Sequence, residues 1–181
     1  MLQQNWKIDP THSEIQFKVR HMMISTVTGN FGSFDATLDS DADFTNANIR
    51  FEADIDSIST GVADRDGHLK SADFFDAANY PKLSFQSTRF EKVSDDEFVL
   101  EGDLTIRDVT KNVKLSVEYG GTLLDPYGQT KAGFELAGKI NRKDFGLTWS
   151  AVTEAGSIVV SDEVKLLLNV QLVKQAVAET V

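Results

Sequence analysis

Apolar and polar residues alternate along most of this chain, and a period of two is the pattern of β-strands with one buried face. In the clearest example, Ile15, Phe17, Val19 and His21 share one face, and polar or charged residues occupy the other. Similar rows recur about eight times, and mostly short turns separate them. Because strands joined by short turns pair antiparallel, the sequence predicts an all-β fold.

The inward rows are predicted at residues 15–21, 34–38, 49–55, 83–90, 98–106, 113–119, 132–140 and 164–172. Turns are predicted at residues 94–96, 108–112 and 125–128, where polar residues, glycine or proline interrupt the alternation. Residues 141–156 are predicted to be irregular. Residues 176–181 are expected to fray, as chain termini commonly do.

An eight-stranded antiparallel sheet that closes has no exposed edges, and its interior is about wide enough for one small ligand. A β-sandwich fits the alternation almost as well. Inward-facing aromatic residues form a dry core by default. A cavity is favoured here because small residues recur in the same inward rows: Ala36, Ala53, Gly102, Ala132 and Gly138.

The alternation stops between residues 59 and 80, in a long insertion between the third and fourth predicted strands. A charged run that contains Arg65 and His68 is followed by Leu69, Phe74 and Phe75 at roughly helical spacing, and the pattern breaks at Pro81. The sequence therefore predicts a helical insertion. Long insertions in compact domains are more often functional than accidental.

Composition limits the partners of the chain. At 181 residues and 20.0 kDa, with no linker-like stretch, residues 1–181 are predicted to form one domain. A net charge of −10 makes nucleic acid an improbable partner and argues against electrostatic docking on anionic membranes. No apolar run is long enough for stable membrane insertion. The N-terminus as written predicts a cytoplasmic protein, or a periplasmic or secreted one if a leader has been removed.

The sequence lacks most of the motifs that are typical of catalytic or metal-binding sites. Cysteine is absent, which excludes disulfides and thiolate catalysis. Asp39, Asp41 and Asp43 begin like a calcium loop, but the positions that need glycine and glutamate hold Phe44 and Arg50. The three histidines lack the close spacing of metal ligands. No metal or cofactor is therefore predicted.

Four stretches together resemble the YceI-like, polyisoprenoid-binding family. They read WKIDPTHSEIQFKVRH from residue 6, SISTG to YPKLSFQST across the insertion, GDLTIRDVTKNV from residue 102, and INRKDFGL from residue 140. The chain departs from the usual pattern at Asp108, where the family tends to have glycine, and at Asn112, where it tends to have proline. The resemblance implies a lipocalin-like eight-stranded antiparallel β-barrel with an elongated apolar lumen.

The resemblance also implies that the barrel binds a long isoprenoid lipid or isoprenoid quinone, for storage or transport, and that a homodimer is plausible. The inward rows then predict the residues that contact the ligand in the lumen: Phe17, Val19, His21, Phe34, Phe51, Ala53, Phe85, Leu104, Phe134 and Leu136.

A polar head group is expected to lie against Arg65, His68 and Arg142, because the planar fork of arginine suits diphosphate. Alternatively, these side chains lock the insertion onto the barrel rim. Two other functions remain open: an enzyme that acts on a bound lipid through His21, Arg65 and His68, and an interaction protein with a filled barrel.

Overall fold

The computed structural model describes residues 3–150 and 159–176. Within these residues one 11-stranded antiparallel sheet contains every strand. The strands are β1 (Gln4–Ile8), β2 (Glu14–His21), β3 (Ser25–Phe31), β4 (Phe34–Ser40), β5 (Asn48–Asp54), β6 (Ile58–Ser59), β7 (Lys82–Lys92), β8 (Glu97–Ile106), β9 (Val109–Leu124), β10 (Thr130–Asn141) and β11 (Val160–Lys174). The one α-helix in the described part of the chain is α1 (Ala63–Lys70).

The sheet closes into a barrel because β1 pairs with both β4 and β11. β1 and β2 lie end to end along β11, and the 3-10 helix Pro10–His12 separates them. β3 runs into β4 and β5 runs into β6 in the same way, so the eleven segments make eight composite strands. The predicted eight-stranded antiparallel barrel, with a helical insertion after the third strand, is confirmed.

Three strands, the end of one predicted row and one predicted turn differ from the sequence-based expectation. β1, β3 and β6 were missed, since none of them shows a long clean alternation. β9 continues through Gly120 and Gly121, beyond the end of the predicted row at residue 119, with a φ of 113° at Gly121. The predicted turn at 108–112 is only two residues long, and Arg107 rather than Asp108 has the positive φ, at 56°. The backbone conformation at position 108 therefore does not require glycine.

An aromatic cluster fills one end of the barrel. The 3-10 helix Ala42–Phe44 turns the ring of Phe44 inward, and its centroid lies 5.6 Å from Trp6, 5.5 Å from Tyr119 and 5.3 Å from Phe134. Such tilted and edge-to-face pairs are the favoured aromatic geometries. This end of the barrel is therefore filled by packed rings.

The insertion lies at the opposite end. α1 ends at Lys70, so the predicted helical spacing overestimates its length, and Phe74 and Phe75 follow in turns. Hydrogen bonds from Phe75 N to Leu69 O and from Ala77 N to Lys70 O hold these turns against the end of the helix. The ring of Phe75 packs edge-on against Phe31, 6.2 Å away. The apolar side of the insertion thereby joins the barrel core.

Two of the sequence predictions fall partly beyond the described residues. The irregular segment 141–156 is described only to residue 150, and the fraying expected for residues 176–181 concerns residues of which only Ala176 is described. No helix among the residues that the structure describes is long and apolar enough to cross a membrane.

Candidate ligand-binding site

A cavity of about 380 Å³ lies inside the barrel, which is within the size range of small-molecule sites. Aliphatic and aromatic side chains from β1 to β5, the insertion and β7 to β11 make up most of its wall. The polar residues in the wall are Gln16, Arg20, His21, Thr37, Thr60, Arg65, His68 and Arg142. The charged side chains belong to the insertion and to the strand ends beside it, so the cavity is apolar with one polar end.

The structure places eight of the ten predicted lumen residues at the cavity wall: Phe17, Val19, His21, Phe51, Phe85, Leu104, Phe134 and Leu136. Phe34 and Ala53, the other two, do not line it. Phe34 stacks on Phe51 at 6.3 Å between ring centroids. Ala53 is only 1% exposed and pairs with Phe34 and Leu83 on the neighbouring strands, so other side chains cover its methyl group.

The small inward residues act differently from the expectation. Gly102 and Gly138 do not leave free space of their own, because the Phe85 ring and the Leu115 side chain occupy the positions that a Cβ would take. Gly29, which the sequence argument did not use, lies under the Phe17 ring in the same way. The missing Cβ atoms let Phe17 and Phe85 lie close to the wall. The lumen stays open because these large side chains lie flat against the wall and not across the lumen.

Arg142 is buried, with 3% exposure, and its guanidinium is held by the backbone. Nε donates to Ser161 O at 2.9 Å, Nη1 donates to Leu147 O at 2.7 Å and to Trp149 O at 2.6 Å, and Nη2 donates to Val160 O at 3.3 Å. Burial lowers the pKa of Arg142, and Asp162 at 3.6 Å opposes that shift. A guanidinium has five N–H donors, so few remain for a head group.

Arg65 has a different arrangement. Its Nε donates to Thr60 Oγ1 and its Nη2 to Thr60 O, both at 2.7 Å. Asp66 Oδ1 accepts from the N–H and the hydroxyl of Thr60, at 2.8 and 2.6 Å. Within residues 3–150 and 159–176, Nη1 of Arg65 has no hydrogen-bond partner, and the side chain is half-buried at the cavity wall. Three of its five N–H donors, two of them on Nη1, therefore have no partner among the described residues.

His68 forms part of an aromatic group above the cavity. Its Nε2 lies 2.9 Å from Asp73 Oδ2, and its ring packs edge-on against Phe74 at 5.1 Å and Trp149 at 4.8 Å. Phe74 and Trp149 also contact each other at 5.4 Å. Because the insertion supplies two of these rings and the segment after β10 supplies Trp149, the group joins two separate connections over the polar end.

Sequence reasoning missed Thr60 and Trp149. Thr60 follows a two-residue strand, and Trp149 lies in an irregular segment, so neither belongs to a periodic row. The only available signal for Trp149 was the presence of a large aromatic residue close to the INRKDFGL stretch. In the part of the chain that the structure describes, no group of three or more His, Asp or Glu residues is placed to bind a metal ion.

Comparison with known proteins extends over nearly the whole chain. Residues 6–172 match the family model of the YceI-like domain. Protein YceI of Escherichia coli O157:H7 is 39% identical over 178 residues, covering 94% of this chain and 87% of that protein. The crystal structure of the Campylobacter jejuni YCEI protein superposes with a TM-score of 0.75 at 34% identity, covering 87% of this chain and 90% of the other.

A more distant structure shows the same fold. It is a polyisoprenoid binding domain from Saccharophagus degradans, with a TM-score of 0.68 at 16% identity over 94% of this chain and 98% of that one.

Proposed function

Since the chain belongs to the YceI-like domain family, we propose that its barrel binds one long apolar lipid, an isoprenoid lipid or isoprenoid quinone. The observation that carries the proposal is the apolar cavity with a single polar end. The Saccharophagus domain of the same fold is a polyisoprenoid binding domain, which supports this class of ligand. Storage or transport of the lipid requires no covalent step.

The lipid tail would occupy the apolar part of the cavity, between the aromatic cluster around Phe44 and the insertion. Each methylene removed from water there contributes about 0.8 kcal/mol, before the entropic costs of ordering the chain and the protein are subtracted. The walls of Phe17, Phe85 and Leu136 offer no hydrogen bonds. Affinity for the tail should therefore depend on its length and branching more than on any polar substituent.

The head group would lie against Arg65. Nη1 of Arg65 has no hydrogen-bond partner among the described residues, whereas most donors of Arg142 are bound to backbone carbonyls. A hydrogen bond to a charged acceptor contributes roughly 1.5 to 3 kcal/mol. An anionic or carbonyl head group should therefore bind better than a bare hydrocarbon of equal length.

The first test is mass spectrometry of an organic extract from the natively purified protein. We expect a polyprenyl species in near-stoichiometric amount. Purification from several hosts without any bound lipid, together with no uptake of added isoprenoids, would refute the proposal. The same extraction, repeated after long incubation of the protein with added lipid, tests the enzymatic alternative. Recovery of the lipid unchanged shows binding without turnover.

The second test uses Arg65→Gln. We expect the affinity for an isoprenyl diphosphate to fall roughly tenfold or more, a change that corresponds to about 1.4 kcal/mol. The affinity for an isoprenoid alcohol of the same length should change less. Arg89→Gln is the matched control, because Arg89 pairs with Glu91 and Glu101 and does not line the cavity. Equal losses of affinity for both ligands would show that Arg65 only holds the insertion in place and does not contact the head group.

A further inference from the structure

The hairpin between β2 and β3 ends in three exposed apolar residues. Met22, Met23 and Ile24 are 38, 56 and 81% exposed, and they are consecutive. Single apolar residues are common on protein surfaces, but a contiguous exposed group of long apolar side chains is a feature of interaction sites. We refer to residues 22–24 as the apolar tip.

The backbone holds the apolar tip in a defined conformation. Met22 and Met23 have φ values of 50° and 60°, a region that long side chains adopt rarely. Met22 N donates to Val159 O at 2.7 Å, Ile24 N donates to His21 O at 3.2 Å, and Nη2 of Arg20 donates to Met23 O at 2.7 Å. Glycine or asparagine would fit these angles with less strain. The hairpin therefore holds two exposed methionines in a conformation that favours other residue types.

The apolar tip adjoins the cavity. Arg20 and His21 precede it, Val159 is bonded to its backbone, and Val27 follows it; all four line the cavity. The tip lies at the same end of β2 as His21, and the aromatic cluster around Phe44 fills the opposite end of the barrel. A surface reached by the tip would therefore be near the polar end of the ligand site.

We propose that the apolar tip inserts shallowly into the surface of a phospholipid bilayer, so that an apolar ligand passes between membrane and barrel. The inference rests on the proposed function, since a long apolar lipid resides in membranes and not in free solution. Three residues give weak and reversible attachment rather than stable insertion. With a net charge of −10, attachment depends on apolar contact, and anionic lipid weakens it.

The test is co-flotation of the purified full chain with phosphatidylcholine vesicles. We expect measurable binding at millimolar lipid, and a decrease when phosphatidylglycerol replaces part of the phosphatidylcholine. The double variant Met23→Ser with Ile24→Ser should lower the partition coefficient at least about tenfold, or about 1.4 kcal/mol. The matched control is Leu123→Ser with Leu124→Ser, because these residues are 61 and 70% exposed near the other end of the barrel. The control should bind vesicles like the wild type.

Three results would overturn the proposal: no flotation of the wild type, equal losses in the two double variants, or a concentration-dependent dimer that the tip variant abolishes. The last would assign the apolar tip to a second copy of the chain.

Ligand uptake from cyclodextrin, without any membrane, separates this inference from the proposed function. Met23 and Ile24 do not line the cavity, so the tip variant should take up an isoprenoid from cyclodextrin as the wild type does. Normal uptake from cyclodextrin with no vesicle binding by the wild type refutes the membrane contact alone. Absence of uptake by the wild type refutes the proposed function itself.

Discussion

A tryptophan scan of two alanines distinguishes an open lumen from a packed core. Ala36 lines the cavity, whereas Ala53, across the β4–β5 pair and on the same inward face, is 1% exposed and does not line it. An indole at residue 36 can extend into a space of about 380 Å³. An indole at residue 53 has to displace Phe34 or Leu83, which are its cross-strand partners.

The two variants should lose different properties, stability in one and lipid uptake in the other. Overpacking a close-packed site costs at least about 1 to 3 kcal/mol, so Ala53→Trp should lower the melting temperature by roughly 2 to 12 °C for a domain of this size. Ala36→Trp should leave the melting temperature nearly unchanged, because its added side chain fills existing space. The same variant should lose most of its lipid uptake, since the indole and the ligand compete for one volume.

The assay is thermal unfolding by circular dichroism on ligand-stripped protein, followed by titration with an isoprenoid. Stripping matters because bound lipid raises the apparent stability of whichever variant retains it. A large drop in melting temperature for Ala36→Trp would show that the cavity collapses in solution. Unchanged stability with unchanged uptake would show that Ala36 does not face the ligand.

Three further outcomes follow from the same structure. Arg142→Gln should reduce the free energy of unfolding by at least about 3 kcal/mol in urea titrations, because several carbonyls lose a charged donor. A smaller loss would contradict a stabilising role for the hydrogen bonds of Arg142. Gly29→Ala should displace the Phe17 ring into the lumen and halve lipid uptake or worse, with little change in melting temperature; unchanged uptake would contradict this. Hydrogen bonds from Thr11 and His12 lower the pKa of Asp9, so its stabilisation is present above about pH 4, the unfolded value, and is lost as pH falls towards the folded pKa. The difference in melting temperature between wild type and Asp9→Asn should therefore shrink on acidification, and a constant difference would contradict the assignment.

The alternation of apolar residues was sufficient to predict the barrel strands but not their ends. Rows such as residues 164–172 follow the inward face of β11 closely, since one side chain in two must be buried. β3 contains Gly29 and Asn30 and shows no comparable row, although it pairs along the whole length of β2. Its position is determined by cross-strand pairing, which a single segment does not reveal.

The candidate site was predictable in part for a similar reason. An inward phase indicates that a residue faces the interior, but Phe34 and Ala53 show that the interior contains packed regions as well as open space. Whether a given row meets the cavity depends on the neighbouring strands. The roles of Arg65 and Arg142 also depend on partners that are close in space but not distinctive in sequence, because most of those partners are backbone carbonyls.

The two arginines suggest how one barrel could serve different ligands. Arg142 bonds to the backbone of the segments that flank it, and Nε and Nη2 of Arg65 bond to Thr60 within the insertion. These hydrogen bonds stabilise the polar end whether or not a ligand is present. Under the proposed function, direct recognition then falls to Nη1 of Arg65 and to the side chains of the apolar wall. Because wall residues such as Leu136 make no hydrogen bonds, changes in their size alter the length and shape of the lumen without disturbing the lock. Ligand choice should therefore change through substitutions in the strands, while the charged residues of the insertion and of the INRKDFGL stretch preserve the structure of the polar end of the site.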